Sequence, residues 1–151
     1  MREYITNSLY CAGAQCPRML WLRKTRLNSS QSSGNAAPLD AATDAYSLAK
    51  GIFGAYAEVA RHCPDRMASD TASLLENGHT VIAGAAFLQE DLFCTLDLMR
   101  ILDNGEVELY KIKSSTSLKA HYLEEAAFQY YVVSSCGFRI RSVSVIYLNK
   151  E

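Results

Sequence analysis

Long apolar runs are missing from this 151-residue chain, and none approaches the roughly 20 residues that a membrane-spanning helix needs. The opening residues, MREYITNSLYC, place acid and polar side chains where a secretory signal would need an apolar centre, so no leader peptide is expected. A dominant charge is missing too. Lys and Arg total 15 against 16 Asp and Glu, which excludes the global positive field that alone would announce a nucleic-acid binder. Any such surface must be local. The five cysteines (11, 16, 63, 94 and 136) are odd in number and scattered among apolar neighbours, which argues against a disulfide framework and for free buried thiols in a cytoplasmic protein. Neither Cys63, Cys94 and Cys136 nor His62, His79 and His121 show paired metal-ligand spacing.

What is present predicts one soluble domain over residues 1–151, since 49% of the chain is hydrophobic and only 21% charged. The clearest local charge is Arg18, Arg23, Lys24 and Arg26, which reads either as a solvated basic face or as a phosphate contact. Residues 8–24 read as helix, interrupted or restarted at Pro17. NSSQSSGNAAPLDAA (28–42) reads as a mobile loop. Apolar residues at helical spacing then predict a long helix from Thr43, its cap, to about His62, where Pro64 stops it; a shorter helix over 68–76 ends at Asn77-Gly78.

The period then changes. His79–Leu88, Leu92–Leu102 and Glu106–Ser114 are rich in Val, Ile, Leu, Phe and Thr and are separated by short turns, which predicts a three-strand meander. Lys119–Cys136 returns to helical spacing, Gly137 ends it, and Phe138–Leu148 alternates as a last strand. Within the meander, Lys111 and Lys113 fall on one strand face and Tyr110 and Ile112 on the other. Glu106 and Glu108 have the opposite parity to Lys113, so neither reaches it without a bulge. Asp97 lies in an apolar strand interior, where a buried carboxylate needs a partner such as a metal ion or Lys113.

The order of elements, Asp97 in CTLDLM, YKIKSST after the second hairpin turn and HYLEEAAFQYY on the next helix together resemble the PD-(D/E)XK nuclease superfamily. With SLYCAGAQCPRMLWL, VIAGAAF and the terminal VIYLN, the chain more closely resembles bacterial RecB-like proteins related to the iron–sulfur exonucleases of CRISPR adaptation. The resemblance implies an α/β restriction-endonuclease-like core: a central mixed β-sheet (three-strand meander, helix, further strand) flanked by helices. It also implies a DNA substrate and catalysis with Mg²⁺ or Mn²⁺, with Asp97 as acidic ligand, the Ile112 carbonyl as a further ligand, Lys113 as the motif lysine and Gln129 as a supporting amide. Two carboxylates would fix such an ion against a scissile phosphate, while a lysine stabilises developing negative charge.

This sequence departs at the decisive place. Lys111 stands where the family carries a metal-binding Glu, and Gly84 stands where relatives tend to carry another acid. Two ammonium groups about 7 Å apart repel by about 2 kcal/mol at an effective dielectric near 20, so affinity for a divalent cation should fall steeply. Glu125, one helical turn before Gln129, is the candidate substitute acid; its other reading is a solvent-facing residue or a partner of Lys111. Ser114, Ser115 and Thr116 read as phosphate donors or as caps of the following helix. Cys16 resembles the first ligand of an iron–sulfur cluster, but the remaining thiolates are not spaced to complete one. Three readings follow: a DNA nuclease domain impaired by Lys111; a non-catalytic nucleic-acid-binding module in which Lys111, Lys113 and the Arg18–Arg26 cluster grip phosphate, with Ser114 as a further phosphate contact; or a fragment of a larger nuclease, completed by a further C-terminal region or a protein partner.

Overall fold

Turn residues recur at short intervals between the β-branched and apolar runs from Val81 to Lys113, and these runs pair as strands in the computed structural model, which describes residues 3–27 and 46–147. The loop predicted near 28–42 and its neighbour Thr43 lie outside the described residues. The expected meander is present, but its first two strands are each broken once, giving β3 (Val81–Ala83), β4 (Ala86–Gln89), β5 (Leu92–Thr95) and β6 (Leu98–Ile101). The break is a bend in one long hairpin. Across it the Gly84 amide donates to the Asp97 carbonyl (3.3 Å) and the Leu96 amide to that of Ala85 (2.7 Å). Gly84 has φ +69°, and a Cβ there would meet the Val59 carbonyl oxygen at 3.1 Å, so glycine alone makes this corner without strain. Asp97 therefore sits at a corner, not in a strand interior.

Past the corner the hairpin feeds two sheets. β4 and β5 join β1 (Ile5–Thr6) in the order β1-β5-β4, while β3 and β6 join β2 (Ala57–Glu58), β7 (Val107–Lys113) and β8 (Ile140–Tyr147) in the order β2-β3-β6-β7-β8. β7 runs antiparallel to β6 and parallel to β8, so the connection from β7 to β8 must cross over, and the helix after β7 supplies the crossover. The molecule is mixed α/β.

The helices differ from expectation where glycine and proline act. α1 (Asn7–Gln15) starts at Thr6, whose hydroxyl accepts from the Leu9 amide, and α2 (Pro17–Leu27) restarts with Pro17 in its first turn. The long helix predicted to His62 is corrected: α3 covers residues 46–50 of the described chain, a 3-10 turn follows at Gly51–Phe53, and the backbone is extended by β2. Gly51 and Gly54 (φ +86°) weaken helix here, and Ala57 and Glu58 gain a parallel ladder with β3 instead. Pro64 opens α4 (Pro64–Glu76), which is longer than predicted. α5 (His121–Ser135) is the crossover helix.

One apolar cluster links the layers, with Met67 from α4, Ile82, Met99, Val107 and Leu109 from the large sheet, and Phe128, Val132 and Val133 from α5. Val81, Ala83 and Leu98 face the other way, under Phe53, Tyr110 and Ile112. Among the described residues no helix is long and apolar enough to cross a membrane.

Candidate functional site

Strand alternation turns Lys111 and Lys113 to the same side of β7, and α5 lays Glu125 against that side. The Lys113 ammonium donates to Glu125 Oε2 at 2.7 Å, and Lys111 Nζ lies 3.1 Å from the same oxygen. The Lys111 side chain is only 9% exposed. Burial pushes the Glu125 carboxyl pKa up, but the Lys113 hydrogen bond and the charge of Lys111 outweigh it and hold the group below the usual glutamate range. Glu125 is thus the partner of both lysines, and the three groups together carry one net positive charge. Parity excludes the other acids as read from the sequence: Glu108 accepts from the Tyr110 hydroxyl (2.7 Å) and pairs with Arg100 (3.5 Å), while Glu106 pairs with Arg139.

The triad borders a cleft of about 390 Å³, completed by Thr95, Phe93 and the Thr6–Ser8 turn that starts α1. A helix start offers free amides and a partial positive charge, and here it adds hydroxyls, with Thr6 Oγ1 and Ser8 Oγ 3.1 Å apart. Apart from Phe93 and the neutralised Glu125, the lining favours an anion. Sequence reasoning missed Thr6–Ser8, because no local pattern ties residue 6 to this cleft; the short parallel pairing of β1 with β5 sets Thr6 beside Phe93, which also lines it.

Asp97 belongs to a neighbouring cavity. Its Oδ2 accepts from the Ile112 amide at 2.8 Å, so Ile112 meets the carboxylate through its N–H. Burial, then the Asp97 charge and a hydrogen bond to it, push the Tyr46 hydroxyl pKa well above the ordinary tyrosine value. Asp97 and Tyr46 line a space of about 460 Å³ with Lys50, Glu58, Arg61 and His62, and Thr95 borders both cavities. Lys50 is paired with Glu58 and lies 4.7 Å from the Tyr46 ring centre. Tyr46 and Lys50 are also missed by sequence reasoning: Tyr46 takes an apolar position at helical spacing, and no local pattern singles out Lys50.

The remaining predicted residues separate. Gln129 is 2% exposed and donates from Nε2 to the Thr95 carbonyl at 2.8 Å, so its amide holds backbone at the cleft edge. Ser114 is exposed and does not line the cleft. Ser115 bonds the Tyr122 hydroxyl (2.9 Å), and the N-cap of α5 is Ala120, which has no side-chain cap to offer, so the hydroxyl run does not cap that helix. Arg18 lies on the exposed α2, outside the cleft lining.

A divalent cation does not fit these residues. It would need clustered anionic oxygens, yet Asp97 spends one oxygen on the Ile112 amide, Glu125 is neutralised by two ammoniums, and Lys111 projects a cation into the same face. Among the described residues no group of three or more His, Cys, Asp and Glu could hold a metal ion. The expectation of buried thiols is corrected in part: Cys94 is buried, Cys63 is exposed and the others are intermediate. Burial pushes the Cys94 thiol up to about 12, and burial with the charges of Glu125 and Glu124 raises Cys11, so neither favours the thiolate that metal ligation needs. No protein-family model matches the sequence, and a search of curated proteins finds no significant match.

Proposed function

We propose that this chain is a PD-(D/E)XK-type DNA nuclease domain, with a restriction-endonuclease-like core, whose hydrolytic centre is impaired by Lys111 and which retains binding to nucleic-acid phosphate. One observation carries the reading: the Lys111 and Lys113 ammoniums converge on a single Glu125 oxygen at 3.1 and 2.7 Å, beside a hydroxyl-lined helix start. A pocket with that charge attracts phosphate and repels the cation that hydrolysis by this family would require. The parity of Lys111 and Lys113, the nearness of Asp97 to Ile112 and the crossover helix that brings in Glu125 and Gln129 support the resemblance on which the nuclease part rests.

Fluorescence anisotropy with labelled DNA in EDTA, and cleavage with Mg²⁺ or Mn²⁺, test it. Binding is expected without divalent ions, weakening as salt rises, with cleavage slow or absent until Lys111→Glu restores a carboxylate. A native chain that cuts as fast as the revertant would sink the impaired-hydrolase reading; a chain that holds no DNA at low salt would sink the binding reading.

A further inference from the structure

α5 turns Tyr122, Phe128, Gln129, Val132 and Val133 inward, and at 100° per residue the arc left outside runs from Tyr130 through Leu123 and Ala127 to Tyr131. These side chains are open to water: Leu123 is 66%, Tyr131 59% and Tyr130 50% exposed. No charge stands among them. The helix has no Lys or Arg, and of its two acids Glu125 faces the lysines while Glu124 has Oε2 closed off from water. Tyr10 of α1 extends the face, stacked on Phe128 with ring centres 5.0 Å apart. With Leu92, Ala127 and Tyr131 it encloses an apolar hollow of about 370 Å³.

We propose that this face is the interface of a twofold dimer of the chain, in which the α5 helices of two copies cross antiparallel at Ala127. The proposal is independent of the phosphate reading, since Glu125 and the lysine cleft lie on the opposite side of the helix and are left free. Leu123, Ala127 and Tyr131 are spaced four apart and form one ridge, the kind that interdigitates with its like when two helices pack. The small Ala127 in the middle lets two such ridges come close. A twofold axis there puts Leu123 of each copy at the level of Tyr131 of the other, beside the hollow, so the patch is complementary to itself, as a closed dimer requires. The area agrees. At about 200 Å² for an aromatic side chain and somewhat less for leucine, the open fractions of Leu123, Tyr130, Tyr131 and Tyr10 amount to roughly 400 Å² per copy. A standard interface buries about 800 Å² per partner, about 65% of it apolar in homodimers, so four residues supply most of the apolar part. Charge argues against other occupants: a nucleic acid or an anionic membrane asks for Lys and Arg beside the apolar stripe, and α5 has neither. A charged protein partner would find no opposite charge to meet.

Sedimentation equilibrium of the whole chain is expected to show monomer and dimer in exchange, with no larger species. Leu123→Ser removes an apolar contact twice per dimer and should raise the dimer dissociation constant roughly a hundredfold. The side chain is exposed in the single chain, so in dilute solution this variant should melt with the parent. Ala127→Cys, at the axis, should crosslink to itself under mild oxidation, above the background set by the parent's own thiols. Leu123→Cys should crosslink when mixed with Tyr131→Cys, and neither should do so alone. Should Leu123→Ser fold poorly, the crosslinks decide by themselves. A chain that stays monomeric up to near-millimolar concentration overturns the proposal, including the case in which α5 instead binds phospholipid vesicles or a different protein. A dimer that neither weakens in Leu123→Ser nor crosslinks at Ala127 overturns it too, because its contact lies on another face. Leu123→Cys crosslinking to itself would mean parallel helices and overturns the antiparallel crossing.

Discussion

Lys111 is a cation with little water around it, and its counter-charge is shared with Lys113 on one carboxylate oxygen. Removing the acid and removing the lysine should therefore act oppositely. Glu125→Gln leaves two ammoniums facing each other with the buried one uncompensated, at a cost on the order of 3 kcal/mol. Lys111→Met removes the poorly hydrated charge and the mutual repulsion while keeping the Lys113–Glu125 bond, so stability should change by less than about 1 kcal/mol. Urea unfolding of both variants checks the contrast, and equal losses would contradict it. The pH dependence has a definite sign. The folded-state pKa of Glu125 lies below its usual value of about 4.3, so the unfolded chain takes up its proton first as pH falls. The triad's contribution is complete above the unfolded pKa and is lost as pH drops through the folded one. Parent and Lys111→Met, which keeps one of the two lysines, should both show this acid loss, larger in the parent.

The bend between the two sheets is held from both sides by helices. Ala86 and Thr95 face each other at the corner. The Ala86 amide donates to Thr71 Oγ1 of α4 at 2.9 Å, and the Thr95 carbonyl accepts from Gln129 of α5 at 2.8 Å. Both side chains are buried, so each supplies a bond that water cannot replace. Thr71→Val and Gln129→Leu should each cost about 1–3 kcal/mol. Because their partners are one register pair, the double variant should depart from additivity by more than about 0.5 kcal/mol, measurable in a double-mutant cycle. The same bend marks what the sequence could and could not say. Alternation placed β7 and its two lysines correctly, and helical spacing with Gly137 bounded α5, because those elements are long and continuous. The hairpin strands read as unbroken because residues on both sides of Gly84 and Asp97 are equally apolar; only the positive φ of Gly84, a backbone property, separates them. The stretch after Lys50 read as helix because Ile52, Phe53, Tyr56 and Val59 keep helical spacing, and tertiary pairing of Ala57 and Glu58 with β3 overrode it. Gln129 read as a site residue and the Thr71 clip went unread, since a long-range bond to backbone leaves no local pattern.

At the scale of the molecule, the cleft is where separate parts of the chain meet: Thr6–Ser8 at the start of α1, Thr95 at the end of β5, Lys111 and Lys113 from β7, and Glu125 from α5. A ligand held there clamps the α1 end, the small sheet and the crossover helix together, so binding should raise the midpoint of global unfolding by an amount that grows with the logarithm of its affinity. Which ligand does so follows from the sign of the charge. In the native chain the triad is net positive, and added Mg²⁺ or Mn²⁺ should leave the melting temperature unchanged, while a short oligonucleotide should raise it. In Lys111→Glu, the new carboxylate would stand near Glu125, with Lys113 as the remaining cation. That variant should melt lower than the parent in EDTA, through repulsion between carboxylates, and recover on adding the metal, which a cluster of oxygen ligands binds. Differential scanning calorimetry of the two proteins, with and without metal, reads this inversion directly. If the native chain gains as much from Mg²⁺ as the Lys111→Glu variant does, then Lys111 is not what keeps a divalent cation out, and the charge of the triad is not the property that selects the ligand.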